Sequence, residues 1–234
     1  MKNLIKFTLW ILFFMFCKNV SANSFDFGKG VVFFKNSYPL ENEKSNSVDI
    51  FDSTLNHKIT VFNCYPFYLN NPDNDDVLIE FANEVYGIGI EEIFEDKIKV
   101  IIGRDLNENL IYGWIPKSNK KIDYLLWSDL LPKRVLFFIH SPYEFDFRSQ
   151  PDGEKVEVEL FKLDNPNEYS KVNAVINFDY DMYSIHVDGN WMLVEISSPG
   201  DFCSDQVNDN RIKVWIRYLD DRGRPLVWFF PRGC

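Results

Sequence analysis

Gly113–Trp127 reads GWIPKSNKKIDYLLW, and Val214–Trp228 reads VWIRYLDDRGRPLVW. Each stretch begins near a Trp-Ile pair, passes through a polar turn-forming middle and ends in an apolar run that closes on Trp. The segments upstream correspond as well, because FDSTLNHKI at Phe51–Ile59 is similar to FRSQPDGEKV at Phe147–Val156, with one extra residue in the second turn. A chain that carries this order twice is predicted to contain two copies of one module.

Short apolar runs fill most of the remaining chain. They span about four to eight residues, are rich in β-branched and aromatic side chains, and are separated by turn-forming Asn, Asp, Gly, Pro and Ser. Val77–Ile93 could form an amphipathic helix, but Gly87 and Gly89 in its middle disfavour one. The pattern predicts an all-β fold. The predicted strands are Val48–Phe51, Lys58–Phe62, Ile98–Ile102, Val135–Ile139, Val156–Phe161, Val172–Phe178, Tyr183–Val187, Trp191–Ile196, Ile212–Tyr218 and Pro225–Phe230.

The first 22 residues have the features of a signal peptide. Lys2 and Lys6 precede the apolar run Phe7–Phe16, and the small-residue sequence VSA at Val20–Ala22 is a suitable cleavage site. The run is short for a membrane span, so a retained anchor is the less favoured alternative. No second long apolar segment follows. We expect an exported, periplasmic or secreted protein with no membrane span after cleavage.

Length and charge limit the organisation and the partners. Removal of 22 residues from 234 leaves a chain that suits two domains, which we place at 23–132 and 133–234, with the boundary at Leu131–Arg134. Loss of the leader's three lysines takes the formal net charge from −10 to −13. Such acidity argues against a nucleic-acid partner, which calls for a basic face. It favours a basic partner, or serves solubility alone.

The repeated segments resemble bacterial SH3-like domains. The resemblance rests on VDIFDSTLNHKI at Val48–Ile59, FDFRSQPDGEKV at Phe145–Val156 and GWI at Gly113–Ile115; in the second copy Val214 replaces the Gly. It implies two small SH3-like β-barrels in tandem. It also implies a non-catalytic binding function in an exported protein, with cell-wall peptide or another protein as the ligand.

The aromatic side chains allow two interpretations. The tryptophans of the repeat can be the core and rim of small barrels, which need large side chains to fill them. Alternatively, exposed aromatic rings can form a groove for an extended peptide or a sugar–peptide. The candidate ligand-binding residues under the second interpretation are Tyr112, Trp114, Tyr124, Trp215 and Tyr218.

The acidic segment 73–96 distinguishes the first copy. It holds nine acidic residues and no Lys or Arg, and we expect an enlarged loop or an added hairpin there. Such a run is usually a solvated face. The alternative is a surface that captures a basic partner through Asp75, Asp76, Glu91 and Glu92, as in an inhibitor or immunity-type protein that neutralises a basic secreted enzyme.

The sequence contains no recognisable catalytic pattern. None of His57, His140 and His186 has zinc-ligand spacing with Cys or a second His, and no phosphate-binding, dinucleotide-binding or serine-hydrolase pattern occurs. We therefore predict no metal, no cofactor and no enzymatic activity, with an unrecognised hydrolase as the alternative.

Three cysteines remain after cleavage of the leader. In an oxidising compartment one pair is expected, and Cys203 with Cys234 is the favoured pair because it would tie down the C-terminus. Cys64 is then a free thiol, whose simplest role is that of a small buried apolar residue.

Overall fold

The computed structural model describes residues 27–35, 47–64, 67–69, 77–83, 85–107, 109–139, 145–158, 177–196, 211–229 and 231. Within these residues the chain forms fourteen strands in two antiparallel sheets, which confirms the all-β prediction. The one α-helix there, α1, is a single turn at Trp127–Leu130, and a 3-10 turn at Leu131–Lys133 follows it. This short connection leads from the first sheet to the second.

The first sheet contains nine strands. Its order is β4-β3-β2-β8-β7-β6-β1-β9, and β5 pairs with β6 beside this path. The strands are β1 (Gly30–Phe34), β2 (Ser47–Phe51), β3 (Lys58–Cys64), β4 (Phe67–Leu69), β5 (Leu78–Ala82), β6 (Val85–Ile93), β7 (Lys97–Arg104), β8 (Leu110–Pro116) and β9 (Ile122–Leu126).

The second sheet contains five strands in the order β13-β12-β11-β10-β14. A short segment around Arg148 adds to its edge, because Arg148 and Trp215 of β13 exchange backbone hydrogen bonds of 2.9 and 3.1 Å. The strands are β10 (Val135–Phe138), β11 (Asn177–Asp188), β12 (Trp191–Ile196), β13 (Ile212–Arg217) and β14 (Val227–Phe229).

Strand β1 of the first sheet contributes side chains to two separate cores. Neighbouring residues of a strand point to opposite faces, so Val31 and Val32 enter different clusters of buried side chains. The cluster around Val32 consists of residues of the first sheet. The cluster around Val31 also contains Trp127 and the buried side chains of the second sheet, such as Met192. Burial on both faces explains why β1 is apolar at every position rather than alternating.

The two halves of the chain have the same strand order. In the first half the order is β2-β8-β7-β6-β1-β9, and in the second half it is the Arg148 segment followed by β13-β12-β11-β10-β14. Strands β4 and β5 have no counterpart among the described residues of the second half, and β3 has one only in the pairing of Lys155 with Arg148. The repeat that the sequence predicts is therefore present as a repeat of strand order.

Local irregularities recur at equivalent places. Strand β6 has a β-bulge between Ile90 and Glu92, and β11 has one between Ser184 and His186. A tight hairpin follows each bulge within three residue pairs. Phe94 and Lys97 close the hairpin in one half, and Asp188 and Trp191 close it in the other. Equivalent positions are 94 residues apart in these two strands, as with Glu92 and His186.

The turns that precede the Trp strands are equal in length, contrary to the sequence alignment. Phe51 pairs with Lys58, and Arg148 pairs with Lys155, which is a separation of seven residues in both cases. Phe51 and Arg148 also pair with Trp114 and Trp215, respectively. Arg148, rather than Phe147, is thus the equivalent of Phe51, and the extra residue of the second copy lies before the turn.

The described part of the acidic segment forms the hairpin β5–β6. Strand β6 is central, because it pairs with β1 on one edge and with β5 and then β7 on the other. Gly87 allows β6 to lie this close to β1, since a Cβ atom there would lie 2.3 Å from Val31 Cγ2 and 2.5 Å from Val32 O. The glycines that disfavour a helix thus allow the close approach of two strands. Asp75 and Asp76 lie outside the described residues.

Candidate functional site

The solvent-facing side of β7 and β8 carries a cluster of aromatic rings and lysines. Along β7 Ile98 and Val100 enter the core, so Lys97 and Lys99 project from the opposite face. Along β8 Gly113 and Ile115 are buried, and Tyr112 and Trp114 project to the same side as the lysines. Phe94, in the turn before β7, completes the group. We call Phe94, Lys97, Lys99, Tyr112 and Trp114 the aromatic–lysine face.

Contacts between strands fix the side chains of this face. The Lys99 Nζ atom lies 3.9 Å from the centroid of the Tyr112 ring, and Lys97 Nζ lies 4.7 Å from that of Trp114. The Phe94 and Trp114 ring centroids are 5.3 Å apart. Cation–π contacts of this kind hold an ammonium group over a ring without neutralising its charge.

A hydrogen-bonded turn supports one of the lysines. Lys97 Nζ donates a 2.7 Å hydrogen bond to the carbonyl of Ser53. The neighbouring Asp52 carboxylate accepts hydrogen bonds from the Thr54 hydroxyl and the Thr54 and Asn56 backbone amides. The Thr54 hydroxyl in particular holds the pKa of Asp52 below its ordinary value, so the carboxylate stays ionised and keeps the turn in place.

The second half carries a related face around Trp215. Trp215 pairs with Leu193, as Trp114 pairs with Lys99, and is likewise partly exposed. The His186 ring meets Trp215 edge to face at 5.8 Å. The equivalents of Lys97 and Lys99 are Trp191 and Leu193, so this face has an aromatic and an apolar residue at the two positions where the first face has lysines.

The structure brings together some of the predicted ligand-binding residues. Tyr112 and Trp114 are neighbours on the aromatic–lysine face, and Trp215 occupies the equivalent place in the other half. Tyr124 is partly buried and packs against the first core. Tyr218 is 1% exposed and belongs to the other core, where burial, and to a smaller extent Asp129, raises its pKa.

The two described residues of the predicted acidic surface, Glu91 and Glu92, have different surroundings. Glu91 pairs with Arg224, whose Nη2 atom lies 3.2 Å from Glu91 Oε2, and this ion pair links β6 to the C-terminal part of the chain. Glu92 is exposed and lies opposite Lys99. The proposed disulfide between Cys203 and Cys234 lies outside the described residues.

Sequence reasoning missed Lys97, Lys99 and Phe94. A signal was available, because Lys97–Val100 alternates between charged and apolar residues, and Tyr112–Ile115 alternates between aromatic and buried positions. What the sequence does not reveal is that these two strands are adjacent with Lys99 opposite Trp114.

Comparisons with known proteins give no relative for this chain. No protein-family model, no curated protein and no solved structure matches it. Within the described ranges, no group of three or more His, Cys, Asp or Glu side chains is arranged to hold a metal ion. In the same ranges no helix has the length and apolar character needed to cross a membrane.

Proposed function

We propose that this protein is an exported, non-catalytic binding protein built from two SH3-like modules. Its ligand is a peptide of the cell wall or of a protein partner, held against the faces around Trp114 and Trp215. The observation that carries the proposal is the equivalence of these two tryptophans. Both occupy the same register position in a repeated sheet, and both leave part of the indole in solvent.

Partly exposed tryptophans at equivalent positions favour a binding role over a purely architectural one. The tryptophan that fills the core, Trp127, is fully buried, and Trp228 is nearly so. Trp114 and Trp215 instead lie on the sheet face opposite to the core, where an aromatic ring supplies a large contact area at small conformational cost. The acidic-surface alternative receives less support, because Glu91 is already ion-paired to Arg224.

The test is binding by Trp114→Ala, by Trp215→Ala and by the double variant. Purified sacculi, sedimented at moderate salt, and immobilised protein used against an extract of exported proteins provide the two assays. We expect each important tryptophan to contribute at least about 30-fold in affinity, as aromatic anchors do. Leu106→Ser is the matched control, because Leu106 is a fully exposed apolar side chain in the β7–β8 turn, away from both faces.

The two assays separate the possible ligands. Sedimentation with sacculi that depends on either tryptophan supports a cell-wall ligand, and capture of a defined protein that depends on them supports a protein ligand. Wild-type protein that stays in the supernatant and captures nothing tryptophan-dependent overturns the proposal. Thermal unfolding of each variant checks that the fold is intact.

A further inference from the structure

The two lysines of the aromatic–lysine face are held by aromatic rings rather than by carboxylates. Neither Lys97 nor Lys99 forms an ion pair with any carboxylate of the described residues. The cations that are paired with carboxylates are Lys58, Arg148, Lys155, Arg211, Lys213, Arg217 and Arg224.

Their spacing matches an extended peptide. Lys97 and Lys99 are two residues apart in one strand, which places their Cα atoms about 6.6 Å apart. Alternate side chains of any extended chain have the same spacing, so acidic side chains at positions i and i+2 of a ligand strand can each meet one ammonium group. The rings of Trp114 and Tyr112 hold the two ammonium groups on the same face.

We infer that the aromatic–lysine face docks an extended acidic segment of a partner protein, with carboxylates at alternate positions bound by Lys97 and Lys99. The inference rests on the proposed function and names the chemistry of the ligand at one of its two faces. Trp114 and Phe94 would contact the ligand's side chains next to these carboxylates.

The negative net charge of the chain does not prevent this interaction. At physiological salt the Debye length is about 8 Å, so distant carboxylates of the protein are largely screened. Charges near the two lysines therefore determine the electrostatic part of the binding energy. The nearest opposing group in the register is Glu92, which lies across from Lys99. Because the ammonium of Lys99 lies over the Tyr112 ring on the neighbouring strand β8, Glu92 does not neutralise it.

The second face is not expected to bind the same ligand. Trp191 and Leu193 replace the two lysines there, and Lys213 is ion-paired with Glu195 at 3.5 Å. The chain thus provides an internal comparison, in which one sheet pattern has two lysines at these positions and its repeat has Trp191 and Leu193.

The experiment measures binding of a short labelled peptide with glutamate at alternate positions, using fluorescence anisotropy and the full exported chain. The same peptide with glutamine in place of glutamate is the control ligand. We expect Lys97→Glu/Lys99→Glu to weaken binding of the glutamate peptide by tenfold or more, as reversal of two close charge pairs would. Lys97→Arg/Lys99→Arg should retain binding, and Glu92→Gln should strengthen it about twofold to threefold.

A charge-matched control excludes a general effect of net charge. Lys35→Glu/Lys133→Glu makes the same change in net charge at exposed sites away from β7 and β8, and should leave affinity unchanged. Raising salt from about 50 mM to about 200 mM should weaken binding to the wild type and have less effect on Lys97→Glu/Lys99→Glu.

The outcomes separate this inference from the proposed function. Equal affinity for the glutamate and glutamine peptides, or equal losses in both charge-reversed variants, overturns the inference. Binding of sacculi or of a protein that requires Trp114 but not the two lysines overturns the inference and leaves the proposed function standing. Loss of glutamate-peptide binding confined to the Lys97/Lys99 reversal supports the inference.

Discussion

Trp127 and Trp228 meet edge to face, with ring centroids 4.9 Å apart and an angle of 73° between the rings. These residues end the two repeated stretches of sequence, yet they are not structural equivalents. Tyr124 pairs with Val32, whereas Phe229 pairs with the equivalent residue Leu136, so the closing strands β9 and β14 are offset by several residues. Two residues that look equivalent in sequence are therefore neighbours in one core, where they join the two halves of the chain.

Removal of the Trp228 ring should strongly destabilise the fold. Phe27 stacks on Trp228 at 4.1 Å, and Trp127 packs on its edge. Trp228→Ala should lower the free energy of unfolding by about 3–5 kcal/mol, because it leaves a cavity in a shared core. Urea denaturation provides the measurement. Trp191→Ala is the matched control and should cost less than about 2 kcal/mol, since Trp191 is only partly buried on an outward face.

The ion pair of Glu91 with Arg224 should couple the two halves energetically. Each side chain is 21% exposed, between an open surface pair and a buried one. A double-mutant cycle with Glu91→Gln and Arg224→Gln should give a coupling energy of about 1–2 kcal/mol. The same cycle on Lys58 and Asp49, each about half exposed, should give less than about 0.5 kcal/mol. Equal couplings in both cycles would contradict a linking role for Glu91.

Gly113 and Val214 should not be interchangeable. A Cβ at Gly113 would lie 2.2 Å from Ile50 Cγ2, whereas the equivalent Val214 is itself a buried core residue. Gly113→Val should cost about 1–3 kcal/mol through overpacking. Val214→Gly should cost about 2–4 kcal/mol through a cavity and the added backbone entropy of the unfolded chain. Thermal unfolding of both variants checks the pair, and tolerance of Gly113→Val would contradict the close contact with Ile50.

The Glu195 cluster should make stability depend on pH in the acidic range. Arg211 lies 2.6 Å from Glu195 Oε1 and lowers the pKa of this carboxyl, with a smaller contribution from Lys213 at 3.5 Å. A lowered folded-state pKa adds stability above the ordinary Glu value of about 4.3, and this stability is lost as the pH falls through the lowered pKa. Glu195→Gln should therefore destabilise the protein near pH 7 and have a smaller effect near pH 3. An identical difference at both values would contradict this assignment.

The strand content was predictable where one face of a strand is buried. Trp191–Ile196 alternates between partly exposed and buried residues, and its predicted bounds are those of β12. Strands β1 and β6 escaped prediction for different reasons. β1 is buried on both faces and lacks alternation, and β6 contains two glycines that sequence rules treat as breakers.

Two of the aromatic residues of the candidate site, Tyr112 and Trp114, were predictable from the sequence. Tyr112 and Trp114 stand out because they lie in the repeated stretch. Lys97 and Lys99 belong to a different stretch, and their relation to the rings depends on the pairing of β7 with β8. Long-range register of this kind is set by the packing of the whole sheet, which local patterns do not encode.

The two bulges determine how each hairpin tolerates changes in length. In β6, Ile90 and Ile93 both reach the core around Val32 although they are an odd number of positions apart, because Glu91 is the unpaired residue of the bulge. Loss of one residue there would reverse the inward and outward sides of the strand on one flank. Single-residue insertions and deletions should therefore be confined during divergence to hairpin tips such as the one between Asp105 and Asn109.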